Sequence, residues 1–192
     1  MLLTKAEVRE RVRERDQQRS KLYAAEVVLK PFQSPLLTVT DVETFVKKVW
    51  TSERVKKSFP KAVVRGSEPK VKDGRGRRNA CGGVHSISIP LWARNSWVVV
   101  HELSHTITQR EFGFRVAAHG WQFCHVFLKL TLYAMGREAH DALYKQFRKD
   151  RVKFKAPRAR RQLDPVKRAM LIERLALARA AKQQKMAAKP EE

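Results

Sequence analysis

His101, Glu102 and His105 stand in the spacing H-E-x-x-H. On a helix, positions four apart share a face, so the two imidazoles can hold one metal ion between them. In zinc peptidases the glutamate of this motif does not bind the metal; it takes the proton from the metal-bound water. One five-residue stretch therefore offers two ligands and a general base. Val98, Val99, Val100, Leu103 and Ile107 make the flanking segment apolar on most sides. That pattern predicts a buried helix over about 96–110, with Asn95 or Ser96 as its N-cap.

A catalytic zinc site takes three protein ligands and leaves the fourth position to water. The chain does not continue as H-E-x-x-H-x-x-G-x-x-H, so the third ligand must come from Glu111, His119, His125, Glu138 or His140. His119 leads this group. It opens His119-Gly120-Trp121-Gln122-Phe123-Cys124, ahead of a long apolar helix predicted over 119–135. A histidine at that helix's start can point back at the metal, and Gly120 would let the backbone approach the motif helix closely. His125 lies about 240° around the same helix and faces away. It reads as a packing or surface residue and His140 as an exposed one. Glu138, beyond the Met135-Gly136 break, is a distant second choice.

The motif helix, followed by His119-Gly120-Trp121-Gln122-Phe123, resembles the core of the SprT-like metallopeptidases, which pair H-E-x-x-H with H-G-x-x-[FW] at the start of the next helix. The Phe123-Cys124 continuation is similar to the Spartan branch of that group. Three further stretches resemble a family of small metallohydrolases of actinobacteria and their phages. They are Arg15-Asp16-Gln17-Gln18-Arg19 with Tyr23-Ala24-Ala25-Glu26, Asp73-Gly74-Arg75-Gly76-Arg77-Arg78, and Ile89-Pro90-Leu91-Trp92-Ala93-Arg94. The resemblance covers about residues 10 to 155. It implies an α+β, zincin-like fold with a small antiparallel sheet, Zn2+ held by His101, His105 and His119, and Glu102 as catalytic base. Trp121-Gln122 replaces the Pro-Glu common in SprT-like proteins, which keeps the ligand but alters the loop.

The chain has 192 residues and a formal net charge of +22. That length gives one modest domain with extensions. The expected division is an N-terminal helix and linker over 1–39, a metallohydrolase core over 40–155 and a basic linker and helix over 156–192. From Arg151 onward, thirteen Lys or Arg face four Asp or Glu, so this segment carries nine of the net positive charges. Such a surplus favours polyanions, nucleic acid first, and Arg158, Arg160 and Arg161 are the candidate contacts. Two cysteines, Cys81 and Cys124, make no disulfide framework and read as buried thiols of a reducing compartment. No apolar run approaches a membrane span, and the N-terminus is charged almost at once, so a cytoplasmic protein without a signal peptide is expected.

Capping boxes are read at Thr4 with Glu7 and at Thr40 with Glu43. The first opens a helix to about residue 29, ended by Pro31 and Pro35. The second opens a helix with Phe45, Val46, Val49 and Trp50 as its apolar face. Val55 to Phe59 reads as a further turn and Lys61 to Arg65 as a β-like run. A short strand is placed at Lys70 to Lys72. Val84 to Ile89 is the clearest strand, with His85, Ile87 and Ile89 on one face. It is expected at a sheet edge, where extended substrate can pair with it. Helices follow over 137–149 and from Asp164-Pro165 to about 188, with Val152 to Phe154 as a small strand between.

These readings converge on a zinc-dependent peptidase or related amide hydrolase acting on protein or peptide. Tyr133, Tyr144 and His85 are candidates to hold the oxyanion. The alternatives are a basic nucleic-acid-binding protein with a zinc-stabilised, non-catalytic fold, a DNA-associated protease of the Spartan type, and an accessory protein whose helical arms bind a host partner.

Overall fold

The computed structural model describes residues 16–156 and 164–187. The expected capping box at Thr4 and Glu7, and Arg158, Arg160 and Arg161, lie outside the described residues. Among the described residues the fold is mixed α+β: seven α-helices and one three-stranded sheet. Of the described residues, 16–156 belong to one compact unit and the C-terminal helix to a second. Among the described residues no helix is long and apolar enough to cross a membrane.

Helix α1 (Arg19–Glu26) runs into a 3-10 turn at Val27–Phe32 that contains Pro31. Leu22, Ala25 and Leu29 are fully buried, so this segment is part of the core rather than an arm upon it. Helix α2 (Val39–Thr51) opens two residues earlier than expected. Thr38, not Thr40, is the cap: its hydroxyl accepts from the Asp41 N–H while the Asp41 carboxylate accepts from the Thr38 N–H. Val42, Val46, Val49 and Trp50 form its buried face. Helix α3 (Glu53–Ser58) follows.

Lys61 to Arg65 is not a strand. Ala62 and Val63 are buried, but the backbone turns there, held by Glu111 accepting from the Lys61 and Ala62 N–H groups. Strands β1 (Lys70–Asp73), β2 (Cys81–Gly82) and β3 (Ser86–Ile89) give the order β1-β3-β2. The sheet is mixed, not antiparallel: β1 runs parallel to β3, Lys70 opposite Ser86, while β2 runs antiparallel to it, Cys81 opposite Ser88. The strand expected at an edge, β3, is therefore central. Ile87 and Ile89 are buried there as their alternation requires, whereas His85 precedes the strand and is exposed. The edge nearer the motif is the two-residue β2, where Cys81 is exposed rather than buried.

Helix α4 (Ser96–Phe112) carries the H-E-x-x-H motif. Asn95 caps it, its side chain accepting from the Val98 N–H, and the extended residues before it pair with 34–36 through Ser96 N–H to Ser34 O and Leu36 N–H to Arg94 O. Gly113, at φ +82, ends it in a conformation that favours glycine. Helices α5 (Trp121–Ala134) and α6 (Arg137–Lys149) meet at Gly136, φ +96. Val152 to Phe154 forms no strand; its backbone pairs instead with a side chain, as Gln18 accepts from Lys153 N–H and donates to Lys153 O. Helix α7 (Pro165–Ala187) begins at the proline that follows Asp164, as the cap signal predicts.

Candidate metal centre

The chain brings His101, His105 and His119 together. Each offers a ring nitrogen, and the three atoms lie within 4.8 Å of one another. Among the described residues this is the one cluster of histidines, cysteines or carboxylates so arranged. His101 and His105 reach it from adjacent turns of α4. His119 reaches it from the loop, two residues before α5, rather than from the helix itself. Phe123 forms the floor: fully buried, its ring lies 5.0, 4.4 and 5.1 Å from those of His101, His105 and His119.

Two acids fix the imidazoles from behind. Glu26 Oε2 lies 2.7 Å from His101 Nδ1. Asp16 Oδ2 lies 3.0 Å from His119 Nδ1, and Asp16 Oδ1 also accepts from the His119 backbone N–H. A carboxylate on one ring nitrogen sets the tautomer and turns the other nitrogen towards a metal. His119 Nε2 fits that role, since it is buried and has no hydrogen-bond partner. Leaving such an atom unpaired is costly, and a metal ion would satisfy it. The residues present therefore fit a metal ion.

Burial, then the charges of His101 and His119, holds the His105 imidazole well below the ordinary histidine range. Burial also lowers His119, against the opposing pull of Asp16. At His101 burial likewise works downward, but the hydrogen bond and charge of Glu26 prevail and raise it. Burial raises the Glu102 carboxyl above the usual glutamate value, with His101 and the Gly82 N–H opposing. A carboxylate so placed is a more basic proton acceptor than an exposed one.

The expected close approach at Gly120 is not where the helices meet. The atoms nearest a Cβ there belong to Ala117 and Gln122, its own neighbours in sequence, and not to the motif helix. Gly82 does that work instead. A Cβ at Gly82 would overlap the Glu102 carbonyl oxygen and stand 2.8 Å from its carbon, so only glycine lets β2 lie this tightly on α4.

The other candidate residues lie elsewhere. Glu111 caps the turn at residues 61–62. His125 meets Phe59 edge-on, and His140 stacks on Tyr144 beside Asp141. Glu138 is exposed in the first turn of α6. Tyr133 bonds to Ser58, and Tyr144 packs on Phe154. Sequence reasoning did not assign roles to Asp16, Glu26, Arg19 or Tyr23, all from the N-terminal segment. Their signal was the Arg15–Arg19 and Tyr23–Glu26 stretches, which carried a resemblance but no chemistry.

Two hollows flank the cluster. One, of about 420 Å³, is lined by Arg19, Tyr23, Trp92, Trp97, His101 and Glu102, among others. The other, of about 260 Å³, runs from His105 and Thr108 to Phe114, Val116 and Ala117. No protein-family model, curated protein or solved structure matches this chain.

Proposed function

We propose that this protein is a zinc-dependent metallopeptidase of the SprT-like, zincin type. The observation that carries the reading is the convergence of His101, His105 and His119 with Glu102 one residue along α4 and a carboxylate behind two of the three imidazoles. Three neutral imidazoles with an open position suit zinc, though ligand type alone would also admit cobalt, nickel or manganese. Bound there, zinc would acidify a water and polarise the scissile carbonyl.

The chain's own residues supply the rest. Glu26 and Asp16 orient His101 and His119. Glu102 accepts the proton of the attacking water and returns it to the leaving amine. The hollows on either side of the cluster would seat the chain flanking the scissile bond, with Trp92, Trp97 and Phe114 as apolar contacts. Protein or peptide is thus the proposed substrate.

A second reading rests on the net charge of +22. A surface this basic attracts nucleic acid without sequence preference. The substrate would then be protein held on DNA, as in the Spartan branch. If Glu102 is idle, the same charge supports a nucleic-acid-binding protein stabilised by its metal.

Cleavage of unfolded protein by the zinc-loaded enzyme, with and without DNA, tests these readings. Hydrolysis in wild type, abolished in Glu102→Gln with zinc retained, is the expected result. Equal inactivity of metal-loaded wild type and Glu102→Gln, with DNA binding intact, would favour the non-catalytic reading.

A further inference from the structure

From the geometry we infer that Tyr23, backed by Arg19, donates the hydrogen bond that stabilises the oxyanion formed during amide hydrolysis; the inference rests on the hydrolase reading above. Helix α1 lies across the three-histidine cluster because Asp16, just before it, and Glu26, at its end, clamp His119 and His101. Arg19 and Tyr23 lie between those clamps, four residues apart and so on one face of α1.

Contacts bear this out. The Tyr23 ring centre is 5.3 Å from that of His119 and 5.7 Å from that of His101. The Arg19 guanidinium carbon is 5.2 Å from the Tyr23 ring centre. Both residues are exposed and line the same hollow as His101 and Glu102. Of the chain's three tyrosines, Tyr133 is engaged with Ser58 and Tyr144 is packed against His140 and Phe154; Tyr23 alone faces the cluster. Among the described residues, Arg19 is the one arginine or lysine lining the hollow, beside Glu26 and Glu102.

The chemistry needs such a donor. The water oxygen bonds to the carbonyl carbon, its proton passes to Glu102, and the carbonyl π pair moves onto oxygen as a negative charge. When the tetrahedral species collapses, the C–N bond breaks, Glu102 returns the proton to nitrogen, and a carboxylic acid and an amine leave. Tyr23 gives a hydrogen bond to the negative oxygen throughout and is itself unchanged. Fixed donors of this kind act where charge develops.

Cobalt-loaded protein provides the test, with acetohydroxamate as the oxyanion-bearing probe followed in the visible spectrum, beside peptide hydrolysis. Tyr23→Phe is expected to keep its cobalt, to bind acetohydroxamate about tenfold more weakly, and to lose about 100-fold in kcat with little change in KM. Arg19→Ala should show the same pattern more mildly, and Tyr133→Phe should behave as wild type. Unchanged probe affinity and kcat in Tyr23→Phe would overturn the inference. So would a rise in KM alone, which would make Tyr23 a ground-state contact, or loss of cobalt, which would make it a support of the site. Wild type that takes up no cobalt would overturn the hydrolase reading and this inference together. Loaded wild type that cleaves no peptide would contradict the peptidase reading alone, leaving the probe to decide whether Tyr23 meets an oxyanion.

Discussion

Asp16 Oδ2 sits 3.0 Å from His119 Nδ1, across 103 residues of chain. The contact ties the segment before α1 to the loop before α5, and the Glu26–His101 pair repeats the device at the other end of the helix. Asp16→Asn and Glu26→Gln should each weaken metal binding by about 10- to 100-fold, the usual effect of losing a carboxylate behind a ligating histidine. Competition with a chromophoric chelator measures this directly. Unchanged affinity in both would show that the acids serve packing alone.

Metal uptake should depend on pH with a definite sign. Only neutral imidazoles bind, so protons compete with the ion. His105 and His119 are lowered and impose no penalty at neutral pH, whereas His101 is raised by Glu26. Affinity should therefore still be climbing as pH rises above about 6.5, the ordinary histidine value, and level off once His101 loses its proton. In Glu26→Gln that limb should move to lower pH, even as the plateau affinity falls. Calorimetric titrations from pH 6 to 8.5 would show both effects.

Gly82→Ala should destabilise the fold, because the added methyl group meets the Glu102 backbone rather than a side chain that can move. A cost of about 1–3 kcal/mol is expected, the range for overpacking. Thermal melts would read it, and activity should fall as well, since β2 presses directly on the residue that carries the general base.

Phe123 touches all three imidazole rings and is fully buried. Phe123→Ala should cost about 3–5 kcal/mol, and Phe123→Leu distinctly less. If the ring is the floor of the site, Phe123→Leu should also hold its metal more weakly than its modest loss of stability would suggest. Denaturant melts paired with chelator competition separate the two effects.

The motif itself was plain in the sequence because its periodicity is local: His101, Glu102 and His105 lie within two turns of a helix whose cap, Asn95, and terminator, Gly113, both have characteristic chemistry. Gly136 and Asp164-Pro165 marked α6 and α7 in the same way. What could not be read was anything decided by distant partners. Asp16 and Glu26 are acids in a charged segment, and nothing local tells which of those acids turns inward. Lys61 to Arg65 has the composition of a strand, yet Glu111, some 50 residues on, holds its backbone in a turn. The place of β3 in the sheet depended on β1 pairing beside it in parallel, which no turn signal announces. Thr38 does not announce itself as a cap because Asp41 closes the box with a shorter side chain than the usual glutamate.

Metal content by mass spectrometry, on purified wild type, His119→Ala and Glu102→Gln supplied with zinc, asks most simply whether these three histidines form one metal site. About one zinc per chain in wild type and in Glu102→Gln, with loss in His119→Ala, is the predicted result. Zinc-free wild type, or full zinc retained by His119→Ala, would contradict it.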